Sequence, residues 1–184
     1  MPCLLRNLKM PEVEMLYDVQ NRSGARGNNA YVRFINKTDR VIEIVWLNYT
    51  GMYIRYKILK KDYFVDVNTF NTHPWVAFDY ETKNRLHIDK EFVYHPKTSK
   101  EFFRQKYPNR TIPENYEARI RAYITLPIYS LRYTALLSIR NMLNSSEDAS
   151  KLELPKPLVE DLKKVIQFRN NLKFTLDTQG ERML

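Results

Sequence analysis

Between positions 30 and 124 the apolar residues recur with a period of two, in short runs. From Thr125 onward the period lengthens to that of a helix. The run 30–35 meets a polar turn, Asn36-Lys37-Thr38-Asp39, and 41–47 follows, which predicts a hairpin. Along 52–59, Ile54, Tyr56 and Ile58 alternate with Arg55 and Lys57; runs at 63–70 and 74–79 come next, with shorter candidates at 85–88 and 92–95. After a polar, basic stretch at 96–113, Tyr116, Ala118, Ile120, Ala122 and Ile124 alternate with Glu117, Arg119, Arg121 and Tyr123, a last strand with one wet face. Short strands separated by polar turns predict an antiparallel β-sandwich over 30–124. The 96–113 stretch reads as an insertion or long connection, with one helical turn around Glu101-Phe102-Phe103.

The helical part opens with Ser130 as N-cap, after Pro127 has stopped the strand. At about 100° per residue, Leu131, Ala135, Ile139 and Met142 form one stripe of a helix over 130–143. Leu136 and Leu143 widen that stripe to roughly 140°, more than the ~100° one core contact needs, and Tyr133 and Leu137 lie on the far side. Such a helix calls either for a central place in a helical cluster or for two partners, one of them another chain. A second helix, about 157–174, begins at Pro157 and repeats Leu158, Leu162, Val165 and Ile166. The expected class is therefore α+β. A flexible extension (1–29, with one short helix at 10–19) precedes the β-sandwich (30–124), and a small all-α domain (125–184) frays beyond 176.

Composition narrows the function. The 184 residues are 43% hydrophobic and 13% aromatic, enough for a folded core. Thirteen Tyr against four Gly suit a half-buried sheet surface. A net charge of +9 implies acidic partners: nucleic acid, an anionic membrane surface or an acidic peptide. The single cysteine, Cys3, excludes an internal disulfide framework and thiolate zinc clusters. No apolar run approaches the ~20 residues of a membrane span, and Glu12, Glu14 and Asp18 break any secretory pattern. An intracellular protein is expected, cytoplasmic and nuclear, so the Asn36-Lys37-Thr38 and Asn48-Tyr49-Thr50 triplets read as turn chemistry, not glycan acceptors.

Catalytic patterns are weak. His87-Ile88-Asp89 with His95 imitates an iron facial triad, but His95 follows too closely to come from a separated strand. No G-x-S-x-G and no phosphate-binding Gly-rich loop occurs, so no enzyme, cofactor or metal is expected. The basic run 97–110 interleaves Phe102, Phe103 and Tyr107, and a base-stacking role is weighed against a solvated connection, which is favoured. A set of polar and aromatic residues, Trp46, Tyr56, Asn68, Thr69, His73 and Trp75, suits either strand packing or a small pocket with apolar walls and a polar floor.

Val45-Trp46-Leu47-Asn48, the downstream His73-x-Trp75 and the segment Ile124-Thr125-Leu126-Pro127-Ile128-Tyr129-Ser130-Leu131 together resemble the von Hippel-Lindau family, as a distant, invertebrate member. The resemblance implies a β-sandwich that recognises substrate and a helical domain that docks elongin C, with elongin B, a cullin and its RING protein completing a ubiquitin ligase. Ser130, Leu131, Ala135 and Ile139 occupy the family's docking pattern, with Ala135 where Cys is usual, and Leu158 falls in the segment similar to its cullin-contacting helix. The implied substrate is the hypoxia-inducible factor alpha subunit carrying 4-hydroxyproline, sent by ubiquitination to the proteasome. Trp46, Tyr56 and Trp75 would wall the pocket, and Thr69, where Ser is usual, would hydrogen-bond the new hydroxyl together with His73. Asn68 stands where the family has His. The competing expectation is a basic nucleic-acid-binding β-domain working through Arg119, Arg121 and 97–110; it is disfavoured, and no membrane partner is expected.

Overall fold

The computed structural model describes residues 21–176, and the expectations for 10–19, Cys3 and the end of the chain lie outside them. Within the described residues, 21–127 and 173–176 form one compact unit and 128–172 another.

The first unit is a β domain built from β1 (Asn29–Asn36), β2 (Ile42–Leu47), β3 (Tyr53–Leu59), β4 (Phe64–Phe70), β5 (Trp75–Asp79), β6 (Arg85–Ile88), β7 (Arg119–Thr125) and β8 (Thr175–Leu176). They join in one hydrogen-bonded order, β4-β1-β7-β6-β5-β2-β3-β8. That order corrects a strictly antiparallel sandwich, because β1 runs parallel to β7 and β3 parallel to β8. The single sheet curls, so that Phe34 of β1 packs on Trp75 of β5 with ring centroids 5.2 Å apart. Val32, Ile42, Ile44, Ala77, Ile88, Ala122 and Ile124 fill the space between its two halves.

The polar turns are fixed by their own side chains. Asn36, fully buried, donates from Nδ2 to the carbonyls of Arg40 and Leu59 and accepts at Oδ1 from the Thr38 N–H and hydroxyl. Asn48 Oδ1 likewise accepts from Thr50 N, Thr50 Oγ1 and Met52 N. Both triplets do the turn work their composition indicates.

Two segments depart from expectation. The basic stretch holds a full helix, α1 (Ser99–Lys106), opened by a Thr98–Glu101 capping box and anchored by the buried Phe103. Residues 21–29 are not a loose extension: Ser23 is buried, its amide bonds Asn48 O, and the Gly24 amide bonds Thr72 O.

The second unit contains α2 (Leu131–Met142), α3 (Ser146–Ala149) and α4 (Lys156–Asn171). Tyr133, Leu136 and Leu137 of α2 are buried, as are Leu162, Val165 and Ile166 of α4. Arg132 pairs with Asp161 at 2.8 Å, and Arg169 donates to the carbonyls of Arg140 and Leu143 at the end of α2. Capping of carbonyls that a helix end leaves unpaired fixes how these two helices meet. Helix α4 stops at Asn171, short of the expected 174, because the chain turns back into the β unit.

There Phe174 packs on Tyr53 and Phe78, with centroids at 6.3 and 5.4 Å. It also lies under Arg55 and Lys83, whose heads hold the fully buried Glu43 at 2.6 and 2.8 Å. A carboxylate out of water is tolerated only when its partners are held in place, and the ring of Phe174 helps hold them. Phe174→Ala is expected to lower stability by about 2 kcal/mol, read as a lower urea midpoint; an unchanged midpoint would contradict this role.

Candidate functional site

Trp46 and Trp75 are register partners on the antiparallel strands β2 and β5. Opposite residues in such a pair point to one face, so both indoles reach the same end of the curled sheet. Trp75 is buried against Phe34 and meets Tyr56 edge-on at 5.3 Å. Trp46 stays half-exposed and stacks on the His73 ring, centroids 5.2 Å apart and planes 30° apart. From β4, Thr69 faces the same space: Trp75 Nε1 donates to its hydroxyl at 3.4 Å. Thr69 and His73 are only 6% and 5% exposed. Five of the six expected residues are thus brought together.

Asn68 is not. It lies on the outer face of β4, between the inward Val67 and Thr69, where Arg119 Nη2 donates to its Oδ1 at 2.9 Å. Strand alternation puts neighbours on opposite faces, so Asn68 cannot share a pocket with Thr69.

Three further residues complete the site. The Tyr49 hydroxyl lies 3.3 Å from His73 Nε2, and its ring packs edge-on against both Trp46 and His73. Phe70 meets the other side of the imidazole at 5.0 Å. Ser23 accepts from Trp46 Nε1 at 2.7 Å and donates to Leu47 O at 2.6 Å, locking the indole. Tyr49 sits in a triplet that reads as a turn and Ser23 in a stretch that reads as loose, so only the density of aromatics near Trp46 hinted at either.

Burial lowers the pKa of His73 below the ordinary histidine value, because removing an imidazolium from water disfavours it. The ring is therefore neutral at physiological pH. A neutral imidazole has one donor and one acceptor nitrogen, so the phenol contact at Nε2 sets the role left to Nδ1. The arrangement offers two aromatic walls with a hydroxyl and an imidazole between them.

The metal-like triad dissolves. His87 packs on Phe92 at 4.3 Å, and Asp89 Oδ1 accepts from the Tyr123 amide at 2.8 Å. Among the described residues no group of three or more His, Cys, Asp or Glu is placed to hold a metal. No helix among them is long and apolar enough to cross a membrane. Arg119, named for nucleic-acid contact, is taken up by Asn68, by Asp66 at 3.7 Å and by the carbonyls of Val32 and Val67.

The helical unit carries a separate feature. Leu131 is 86% exposed and Met142 80%; Ala135 is exposed and Ile139 half-buried on the same stripe, next to Ile128 at 99%. Ser130 caps the helix by accepting from the Tyr133 amide. The face bearing Tyr133, Leu136 and Leu137 is the one turned inward, so the expected stripe is the outward one. Leu158, at the start of α4, is half-buried.

Residues 22–102 match the model of the VHL beta domain family. Over those residues the β domain is similar to that family. A Drosophila melanogaster relative, Protein Vhl, is 29% identical over 121 residues, 66% of this chain and 66% of its own length. The matched part therefore spans slightly less than two thirds of that relative. Both likenesses agree with a distant, invertebrate VHL member having an N-terminal β domain followed by helices. The family match ends inside α1, so the second half of that helix and the loop up to β7 lie beyond it.

The neutral state of His73 yields a prediction with a definite sign. Its folded pKa is lowered, so the stability it supplies as a neutral ring is intact above the unfolded value of about 6.5 and drains as pH falls from there through the lower folded value. Wild type should therefore lose stability relative to His73→Gln between about pH 7 and pH 5. Parallel melting curves of the two proteins would contradict it; His87, also lowered by burial, cancels in the comparison.

Proposed function

We propose that this chain is a non-catalytic substrate receptor, the recognition subunit of an elongin B/C cullin-RING ubiquitin ligase acting in the cytoplasm and nucleus. In this reading the β domain holds 4-hydroxyproline of a hypoxia-inducible factor alpha subunit, which is then ubiquitinated and degraded by the proteasome. The likeness to the VHL beta domain family and to Protein Vhl supports a receptor of this kind. The observation that carries the reading is the placement of a buried hydroxyl, Thr69, and a buried neutral imidazole, His73, between Trp46 and Trp75. An imino-acid ring fits aromatic walls, and only a hydroxylated one offers a partner to the Thr69 O–H, whose oxygen already accepts from Trp75 Nε1, and to the His73 nitrogen that Tyr49 does not meet. Unmodified proline leaves those two positions unused, at ~1–3 kcal/mol each. β4 is an edge strand, free to align an extended peptide beside Thr69.

The adaptor half rests on the outward stripe of α2. Leu131, Ala135 and Ile139, with Ser130 as the cap, would meet elongin C, and Leu158 the cullin. An exposed leucine at the head of a helix whose opposite face is packed is the pattern of a surface completed by another chain.

Matched peptides with proline and with 4-hydroxyproline, titrated by fluorescence anisotropy, test the substrate half. The hydroxylated form should bind at least roughly 100-fold tighter, and equal affinities would defeat the reading. For the adaptor half, Leu131→Asp should abolish co-purification with elongins B and C while leaving peptide affinity intact; a retained complex would count against it.

A further inference from the structure

The hydrogen bonds across the aromatic site have a direction, and it starts at Trp75. An indole nitrogen only donates, and Trp75 Nε1 donates to the Thr69 hydroxyl oxygen at 3.4 Å. With that oxygen engaged, the Thr69 O–H is left to donate. A hydroxyl carries one hydrogen and two lone pairs. A bound hydroxyl that accepts from Thr69 therefore still has a hydrogen of its own to place. Thr69 and His73 are both buried, so that hydrogen needs an acceptor from the protein.

The two ring nitrogens of His73 are not equivalent. Nε2 lies 3.3 Å from the Tyr49 hydroxyl, while among the described residues Nδ1 has no partner. The ring is held on three sides: Trp46 stacks on it, and Tyr49 and Phe70 meet it edge-on at 5.5 and 5.0 Å. Its backbone amide donates to Phe70 O at 3.0 Å. What remains to be set is which nitrogen of the neutral ring carries the proton. With the proton on Nδ1, the oxygen of the bound hydroxyl faces two donors and its hydrogen faces none that can accept it. With the proton on Nε2, Nδ1 offers a lone pair to that hydrogen, and the Tyr49 oxygen accepts from Nε2–H. Tyr49 is 51% exposed, so its own O–H donates to solvent.

We propose that Tyr49 is a positioning residue: its oxygen accepts from His73 Nε2–H, holds the imidazole in that tautomer, and so makes Nδ1 the acceptor that reads the hydroxyproline O–H. This rests on the hydroxyproline reading above. Every link then runs in one sense, from Trp75 N–H to Thr69, from Thr69 O–H to the ligand, from the ligand O–H to His73, and from His73 N–H to Tyr49. Hydrogen bonds aligned in this way polarise and strengthen one another. The phenol oxygen acts through His73, while the Tyr49 ring packs against Trp46 at 5.7 Å. Oxygen and ring thus have separate tasks.

Tyr49→Phe keeps the ring and removes only the oxygen. The test titrates the full chain, wild type and variant, with the matched proline and hydroxyproline peptides. The ratio of the two affinities should fall about three- to tenfold in Tyr49→Phe, the size of one net hydrogen bond. A residue that only packed would weaken both peptides alike and leave the ratio where it was. Nitrogen NMR of the imidazole, at a pH where the ring is neutral, reads the tautomer without any peptide. Wild-type His73 should carry its proton on Nε2, and Tyr49→Phe should show a mixture of the two forms. An unchanged ratio, a wild-type ring protonated on Nδ1, or the same tautomer in both proteins overturns the role of Tyr49 and leaves the hydroxyproline reading standing. A wild type that does not distinguish the two peptides overturns both.

Discussion

The pairing of Trp46 with Trp75 across β2 and β5 is the constraint on which the functional end of this protein depends. It sends two indoles to one face, and each then has a separate task. Trp75 closes the core against Phe34 and Tyr56, while Trp46 remains half-exposed with its N–H fixed by Ser23. A slip of one residue would turn both to the opposite face. With β2 buried on both faces, register is guarded by what differs between them: Glu43 must meet Arg55 and Lys83 on one, while Ile42 and Ile44 enter the core on the face the indoles share.

Burial of both faces also explains the C-terminal return. A strand covered on one side only would leave Glu43, Arg55 and Lys83 in water. Phe174 and the short β8 instead lay a ring over that ion cluster and extend the edge of β3. The cluster itself offers little net stability, since desolvation offsets most of its attraction; its geometry is specific, and the aromatic cover is apolar gain. The chain thus leaves the β domain at Pro127, builds its helices, and comes back to finish the sheet it started.

Much of this was legible in the residues. Period-two runs located the strands, and the change of period at Thr125 located the helices. The parallel pairs were not legible, because alternation gives a strand its faces but not its neighbour. Helix α1 is readable from Thr98 and Glu101, whose spacing is a capping box, whereas the charge of the run speaks for a solvated connection. Asn68 teaches a sharper lesson. Val67 in, Asn68 out, Thr69 in is plain alternation, and the likeness to a family position outweighed a parity that the local sequence already displayed. Tyr49 and Ser23 were missed for the opposite reason: their local sequence speaks only of turns, and their roles come from residues more than twenty positions away.

Helix α2 shows how one amphipathic element can serve two surfaces. Its over-wide apolar arc is divided: Leu136 turns into the helical unit together with Tyr133 and Leu137 of the far side, while Leu131, Ala135 and Met142 face outward. Had the arc been only core, exposing a leucine and a methionine this fully would forgo about 2 kcal/mol per side chain with nothing gained. The inward half packs α2 on α4, and Arg132–Asp161 and the Arg169 contacts to the helix end add fixed geometry to the packing. Among the described residues the outward half is left free of packing duty. In the proposed role, that freedom is what lets a partner complete the surface without refolding it, and it separates adaptor docking from a substrate site whose walls belong wholly to the β domain.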